Sequence, residues 1–447
     1  MATICNIADI DIYLLYYLDP NSIIALLTIS KNQYALMIKQ DFIKQLVELN
    51  KNHDIKLSNI IRYSSTYNYL ALIKWISESI NKLYFDQNCV HCASRNGHVS
   101  VLELLNNLGY GIECTCDIIK QASQFGHVCI LEWFSQTSRV MTNNKFIYDS
   151  RAILMAANYG HIKVLQWFDE SEYEFKYNEN AINYASENGH IDILKWFDKS
   201  RYEFKYTNAI YLASLNGHIN VLEWFKKSPY EFKYNIYAID SAVRNNHIVV
   251  LEWFKKSGYD FLYTDNAINY ASSFGYVDIL EWFKNSGYVF LYTYKTINNA
   301  ATNGNVIVLE WFKNSKYDFL YTADAINLAA SNGHVDVLEW FKNSGYDFLY
   351  TLDAIDKASF KGHINVLEWF KNSGYDFLYT HNAIDNAAMR NHIDILEWFK
   401  NSPYNFIYTK SLINNLPPQK KSVVEWFNNY KKSIRRTKTT YYLPYQF

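Results

Sequence analysis

Cys89-x-x-Cys92 and Cys114-x-Cys116 place four thiols in two close pairs, the kind of spacing from which a tetrahedral zinc site can be built. Nine of the twelve histidines form a second regular pattern, each following a glycine or an asparagine. As chemistry this would be a ladder of imidazole ligands, and as structure it is a residue capping a turn. The ladder has no carboxylate or cysteine at a fixed offset, and one imidazole per helix pair would stand about 10 Å from the next, the usual separation of packed helices. Turn capping is therefore the reading taken. Catalysis would need one unrepeated cluster of acid, base or nucleophile, and the chain has no P-loop, no G-x-S-x-G and no H-E-x-x-H. No catalytic residue, cofactor or metal ligand is assigned, and no enzymatic activity is expected.

The elements that carry these residues repeat. All twelve tryptophans, at 75, 133, 167, 196, 224, 253, 282, 311, 340, 369, 398 and 426, hold one motif place, and Leu104 fills the single gap. From Trp224 to Trp398 the spacing is always 29, and the long step from Trp133 to Trp167 marks an insertion around residues 136–148. In this register Cys89 takes the place of Ala181, Cys92 that of Tyr184 and Cys129 that of Asp192. Substitution within a repeat thus accounts for three thiols without metal, with a zinc site as the alternative. Free thiols without a secretory signal suit a reducing cytoplasm.

Each repeat reads as two helices. In "AINYASENG" (181–189), Ala181, Ile182 and Ala185 form an apolar stripe, and Gly189 stops the helix. That glycine is replaced only by Asn68, Asn246 and Asn391 elsewhere, the tolerance expected of a left-handed position. The second helix, "HIDILKWFDKS" (190–200), carries Ile191, Ile193, Leu194, Trp196 and Phe197, more apolar surface than one stripe, and so must touch neighbours on both sides. In the connection "YDFLYT", Tyr259, Phe261 and Tyr263 alternate as in an extended piece with one packed face. "EWFK" sets Glu252 and Lys255 three apart, an exposed ion-pair face.

The run A-S/A-x-x-G-H-x-x-V-L-E-W-F-K-N-S-G-Y resembles the ankyrin repeat over residues 59–427, with units shortened to 29 residues and without the Thr-Pro-Leu-His opening. The resemblance implies an all-α repeat solenoid of about thirteen units over residues 47–427. It also implies that the first helix and the loop before it line the concave side. Residues 14–39, "LLYYLDPNSIIALLTISKNQYALMIK", look like an F-box, which would dock on a ubiquitin-ligase adaptor through Leu14, Leu18, Pro20, Ile23 and Leu26; a plain helical cap over residues 1–46 is the alternative. Taken whole, the Asn-, Ile-, Lys- and Tyr-rich chain resembles the ankyrin-repeat proteins of giant DNA viruses of amoebae, which implies a role in host interaction. The tail, 428–447, is basic through Lys431, Lys432, Arg435, Arg436 and Lys438 and reads first as a solvated tail, with binding of acidic partners or nuclear entry as the alternatives.

With 49% hydrophobic and 19% charged residues the chain has material for a continuous core. A net charge of -1 offers no excess of positive charge to phosphate backbones, so nucleic acid is not expected as a partner. Neither a signal peptide nor a membrane helix is read in it, and a cytoplasmic monomer is expected. Three functions are weighed. A protein-binding solenoid leads, with a substrate-receptor role in ubiquitin ligation if the F-box holds. An inert spacer comes second and a nucleic-acid binder third. The partner surface is expected where the repeat varies, at Glu187, Leu215, Arg244, Ser273, Thr302, Ser331, Phe360 and Met389, with Asn266, Lys295, Asp324, Asp353 and Asn382 from the start of the first helix. Leu215, Phe360 and Met389 are expected to be exposed apolar anchors. The alternative is neutral drift at solvated positions.

Overall fold

The computed structural model describes residues 87–140, 145–409, 411–417 and 419–440, with separate positions between 62 and 77. The F-box-like segment, with Leu14, Leu18, Pro20, Ile23 and Leu26, lies outside the described residues. Every regular element among the described residues is a helix. Two compact bodies divide the chain, Met1–Lys233 and Tyr234–Phe447, and each is a stack of helix pairs. The protein is thus an all-α repeat solenoid.

One repeat shows how the sequence makes a pair. The first helix, Asp265–Phe274, opens where the Thr264 hydroxyl accepts the Asn266 N–H at 3.1 Å, which satisfies one of the donors a helix start leaves free. It buries Ala267, Ile268, Asn269, Ala271 and Ser272 on one side and ends at Gly275 with φ +78°. Tyr276 then leads into the second helix, Val277–Ser286, which buries Ile279, Leu280 and Phe283. Asn68, Asn246 and Asn391, standing where other repeats have glycine, are the residues other than glycine with positive φ among the described residues.

Side-chain size sets the layering. Small Ala and Ser faces let the first helices of neighbouring repeats pack closely, whereas second helices, carrying Trp and Phe, are held further apart. From Ile130 to Phe399 each repeat hides an Ile or Val, a Leu and a Phe almost completely, and each such side chain is worth roughly 1.5–3 kcal/mol only when a neighbour covers it. A lone pair of helices could not cover them. The insertion lengthens one second helix, Val128–Val140, and the register returns at Phe146 and Tyr148, whose rings lie 4.4 Å and 6.1 Å from that of Tyr173.

Candidate functional site: the exposed side of the first helices

The residues that do not vary are consumed by joints between repeats. In most repeats the fourth or fifth residue of the first helix is a buried Asn or Asp, and it holds the Thr that starts the next repeat. Asn298 accepts the Thr322 N–H at 3.1 Å and donates to its hydroxyl at 2.7 Å. Asp356 accepts both groups of Thr380, at 2.9 and 2.6 Å. Asp240 does the same with Thr264, and burial pushes its carboxyl above the ordinary range. In the loops, Phe319 stacks on Tyr346 at 4.2 Å and on Trp340 at 5.5 Å, and the Tyr321 hydroxyl donates to the Asp347 carbonyl at 2.6 Å. Through the second helices from Glu252 to Trp426, each Trp indole N–H donates to the Glu of the preceding repeat, as Trp340 does to Glu310 at 2.9 Å. That bond comes first in holding the Glu310 carboxyl below its usual value.

The "EWFK" face is partly what its spacing predicts. Glu281–Lys284 and Glu397–Lys400 pair three apart at 3.1 and 2.7 Å, but Glu252 pairs with Lys256 instead, and Lys255 lies 5.6 Å over the Trp282 ring. These exposed pairs add little on their own.

The histidines do not cap their own helices, and the capping expectation is corrected: as N-cap residues His161 and His190 make no side-chain cap bond. They reach back one repeat instead. Nε2 of His161 lies 2.9 Å from the Gln124 carbonyl and that of His190 lies 3.1 Å from the Asn158 carbonyl, so Nε2 carries the proton in both. The ring covers the previous glycine so tightly that a Cβ on Gly160 would stand 2.8 Å from it. Glycine is required there by contact as well as by φ.

What the joints leave free is the solvent side of the first helices. Arg244, Asn266, Lys295, Asp324, Asp353, Asn382 and Met389 are exposed there, Met389 at 49%. Glu187, Leu215, Ser273, Thr302 and Phe360 are half-buried, and Ser331 is buried at 3%. Of the three apolar residues expected to be exposed, Met389 is exposed, whereas Leu215 and Phe360 are half-buried. Phe360 is roofed by Arg390 of the next repeat, whose guanidinium carbon sits 4.4 Å from the ring centre, and Arg244 covers Tyr270 at 5.7 Å. A helix turns so that the place beside Met389 also faces outward, and there Phe274, exposed at 50%, and Arg390 belong to the same surface. The repeat register shows that place in every unit, directly before the glycine or asparagine.

The cysteines do not converge. Cys89 and Cys114 are buried, Cys92 and Cys116 half-buried and Cys129 exposed, and among the described residues no group of three His, Cys, Asp or Glu side chains could hold a metal ion. Burial pushes the Cys114 thiol up to about 11. Among the described residues no helix is long and apolar enough to cross a membrane.

No family model matches the chain, and no curated protein does. Solved structures similar to it include the pentatricopeptide repeat protein PPR10 in complex with an 18-nucleotide psaJ RNA element, at 11% identity over 88% of this chain and 78% of that one, with a TM-score of 0.25. A cysteine-to-serine variant of the same complex matches equally. So loose a superposition assigns no ligand to this chain, and the repeat architecture stands on the chain's own helix pairs. The expectation that nucleic acid is no partner is corrected on one point: the matched repeat protein is solved with RNA.

Proposed function

We propose that this repeat protein binds another polypeptide along the exposed side of its first helices. The observation that carries the reading is a contrast within the chain. The packed places of the first helix keep to small sets, Ala or Thr, Ile, Asn or Asp, and Ala or Ser, while the outward places change at almost every repeat through Arg244, Phe274, Lys295, Asp324, Asp353, Met389 and Arg390. Both signs of charge with scattered exposed apolar groups match a folded or extended polypeptide, whose own surface mixes the same types. The ubiquitin-ligase role rests on residues 1–46 alone and is a separate question.

The test offers the full chain to a displayed random-peptide library and to a randomised single-stranded RNA pool, with Arg244→Ser/Phe274→Ser/Met389→Ser/Arg390→Ser as the comparison. Peptides enriched by the native chain and lost by the variant support the reading. RNA enriched in their place overturns it, and enrichment of neither makes the chain a spacer.

A further inference from the structure

The loops between repeats have their own outward side. In "YDFLYT" the Phe and the two Tyr turn into the stack, and the residues between them face solvent. One of these places carries Glu113, exposed Ile147, and then Lys176, Lys205 and Lys233 in the first body. In the second body it carries Leu262, Leu291, Leu320, Leu349, Leu378 and Ile407, each exposed between 37% and 45%. Packing does not ask for leucine there, since the same loop folds with lysine. The other outward place is acidic at Glu174, Glu203 and Glu231 in the first body and at Asp260, Asp318, Asp347 and Asp376 in the second, where Val289 and Asn405 interrupt it. Among the described residues a lysine pairs with it only in the first. Glu203 pairs with Lys205 at 2.8 Å and Glu231 with Lys233 at 3.2 Å. Asp260, Asp318, Asp347 and Asp376 have leucine where that lysine would be. The second body therefore presents an apolar column beside an acidic one.

We propose that these two columns dock the basic C-terminal helix of a second copy of this chain. The last helix, Lys421–Thr440, stacks on the array through Tyr430, whose ring lies 4.7 Å from Phe406. It then continues for ten residues, nearly three turns. That part carries Lys431, Lys432, Arg435, Arg436 and Lys438, and no acid follows Glu425. Neighbouring repeats step by roughly 10 Å, which is about seven residues of helix at 1.5 Å each. Lys431 and Lys438 are seven apart, so the helix carries basic residues at the spacing of successive repeats.

Sedimentation velocity of the full chain over a range of concentrations tests this. The native chain should self-associate, and association should weaken as salt is raised from about 0.15 to about 0.5 M and the screening length falls from about 8 Å toward about 4 Å. Leu291→Lys/Leu320→Lys/Leu349→Lys introduces the residue the first body already has, so the helical signal should be unchanged while the dissociation constant rises at least about tenfold. Arg435→Glu/Arg436→Glu should do the same from the other side. Mixing the two variants restores one intact dock and one intact helix, and a mixed dimer should return. A native chain that stays monomeric throughout overturns the proposal, as does association that survives either variant or a mixture that fails to pair.

Discussion

Gly160→Ala and Gly258→Ala change two glycines with similar backbone and different surroundings. Gly160 has φ +75° and Gly258 φ +86°, and an L-residue forced into that region costs about 1–2 kcal/mol at either site. Around Gly258 a Cβ would meet nothing within 4 Å, so strain is the whole cost. At Gly160 the Cβ would stand 2.8 Å from the His190 ring, which must swing away from the Asn158 carbonyl it now bonds at 3.1 Å. Losing that bond and leaving the carbonyl unpartnered adds about 1–3 kcal/mol, giving roughly 2–5 kcal/mol in all. His190→Ala removes the obstacle, so the double variant should be less damaging than the sum by about 1–3 kcal/mol. Urea unfolding followed by tryptophan fluorescence and circular dichroism gives the midpoints. Slopes must be compared too, because repeat arrays can depart from two-state behaviour. Equal losses at the two glycines, or strict additivity in the double variant, would refute the cross-repeat contact.

Asp240→Asn should stabilise the chain at neutral pH. Burial raises the folded carboxyl above its unfolded value, so its favourable contribution is complete below the ordinary carboxylate pKa and is lost as pH rises through the raised one. Asparagine makes the same bonds to threonine at Asn298 and Asn327, and the gain should shrink toward zero in acid, a trend that thermal melts between pH 3 and 7 (about the carboxylate range) would show. Alkylation at about pH 8 should label exposed Cys129 first, while buried Cys114, whose thiol is pushed up to about 11, should resist until the chain unfolds. Mass spectrometry of the labelled peptides reads the order, and Cys114 labelling alongside Cys129 would contradict its burial.

Much of the fold is legible because the information is local and repeated. A glycine replaced only by asparagine reports a left-handed turn whatever surrounds it, and an Ala-Ile stripe reports a packed helix face. The joints are less legible because their partners lie a repeat apart. Asn298 meets Thr322, Trp340 meets Glu310 and His190 meets the carbonyl of Asn158, none of which a single unit can display. A signal was present all the same: Asn183, Asp240, Asn298, Asn327 and Asp356 each precede a threonine by 24 residues. The outward surface was only half legible. Met389 is exposed as its register suggests, but Phe360 is covered by Arg390, because side-chain reach across repeats, not register, decides what water touches.

Since the joints from Asp240 to Thr409 use the same residue types, that part of the chain has no structural memory of how many repeats it contains. Removing residues 322–350 would set Thr351 against Asn298 and Trp369 against Glu310, in place of the Thr322 and Trp340 those residues hold now. An in-frame loss or duplication of 29 codons therefore creates no novel seam for folding to reject. Array length can drift by recombination between near-identical coding stretches, leaving selection to act on which outward residues each added or discarded unit brings.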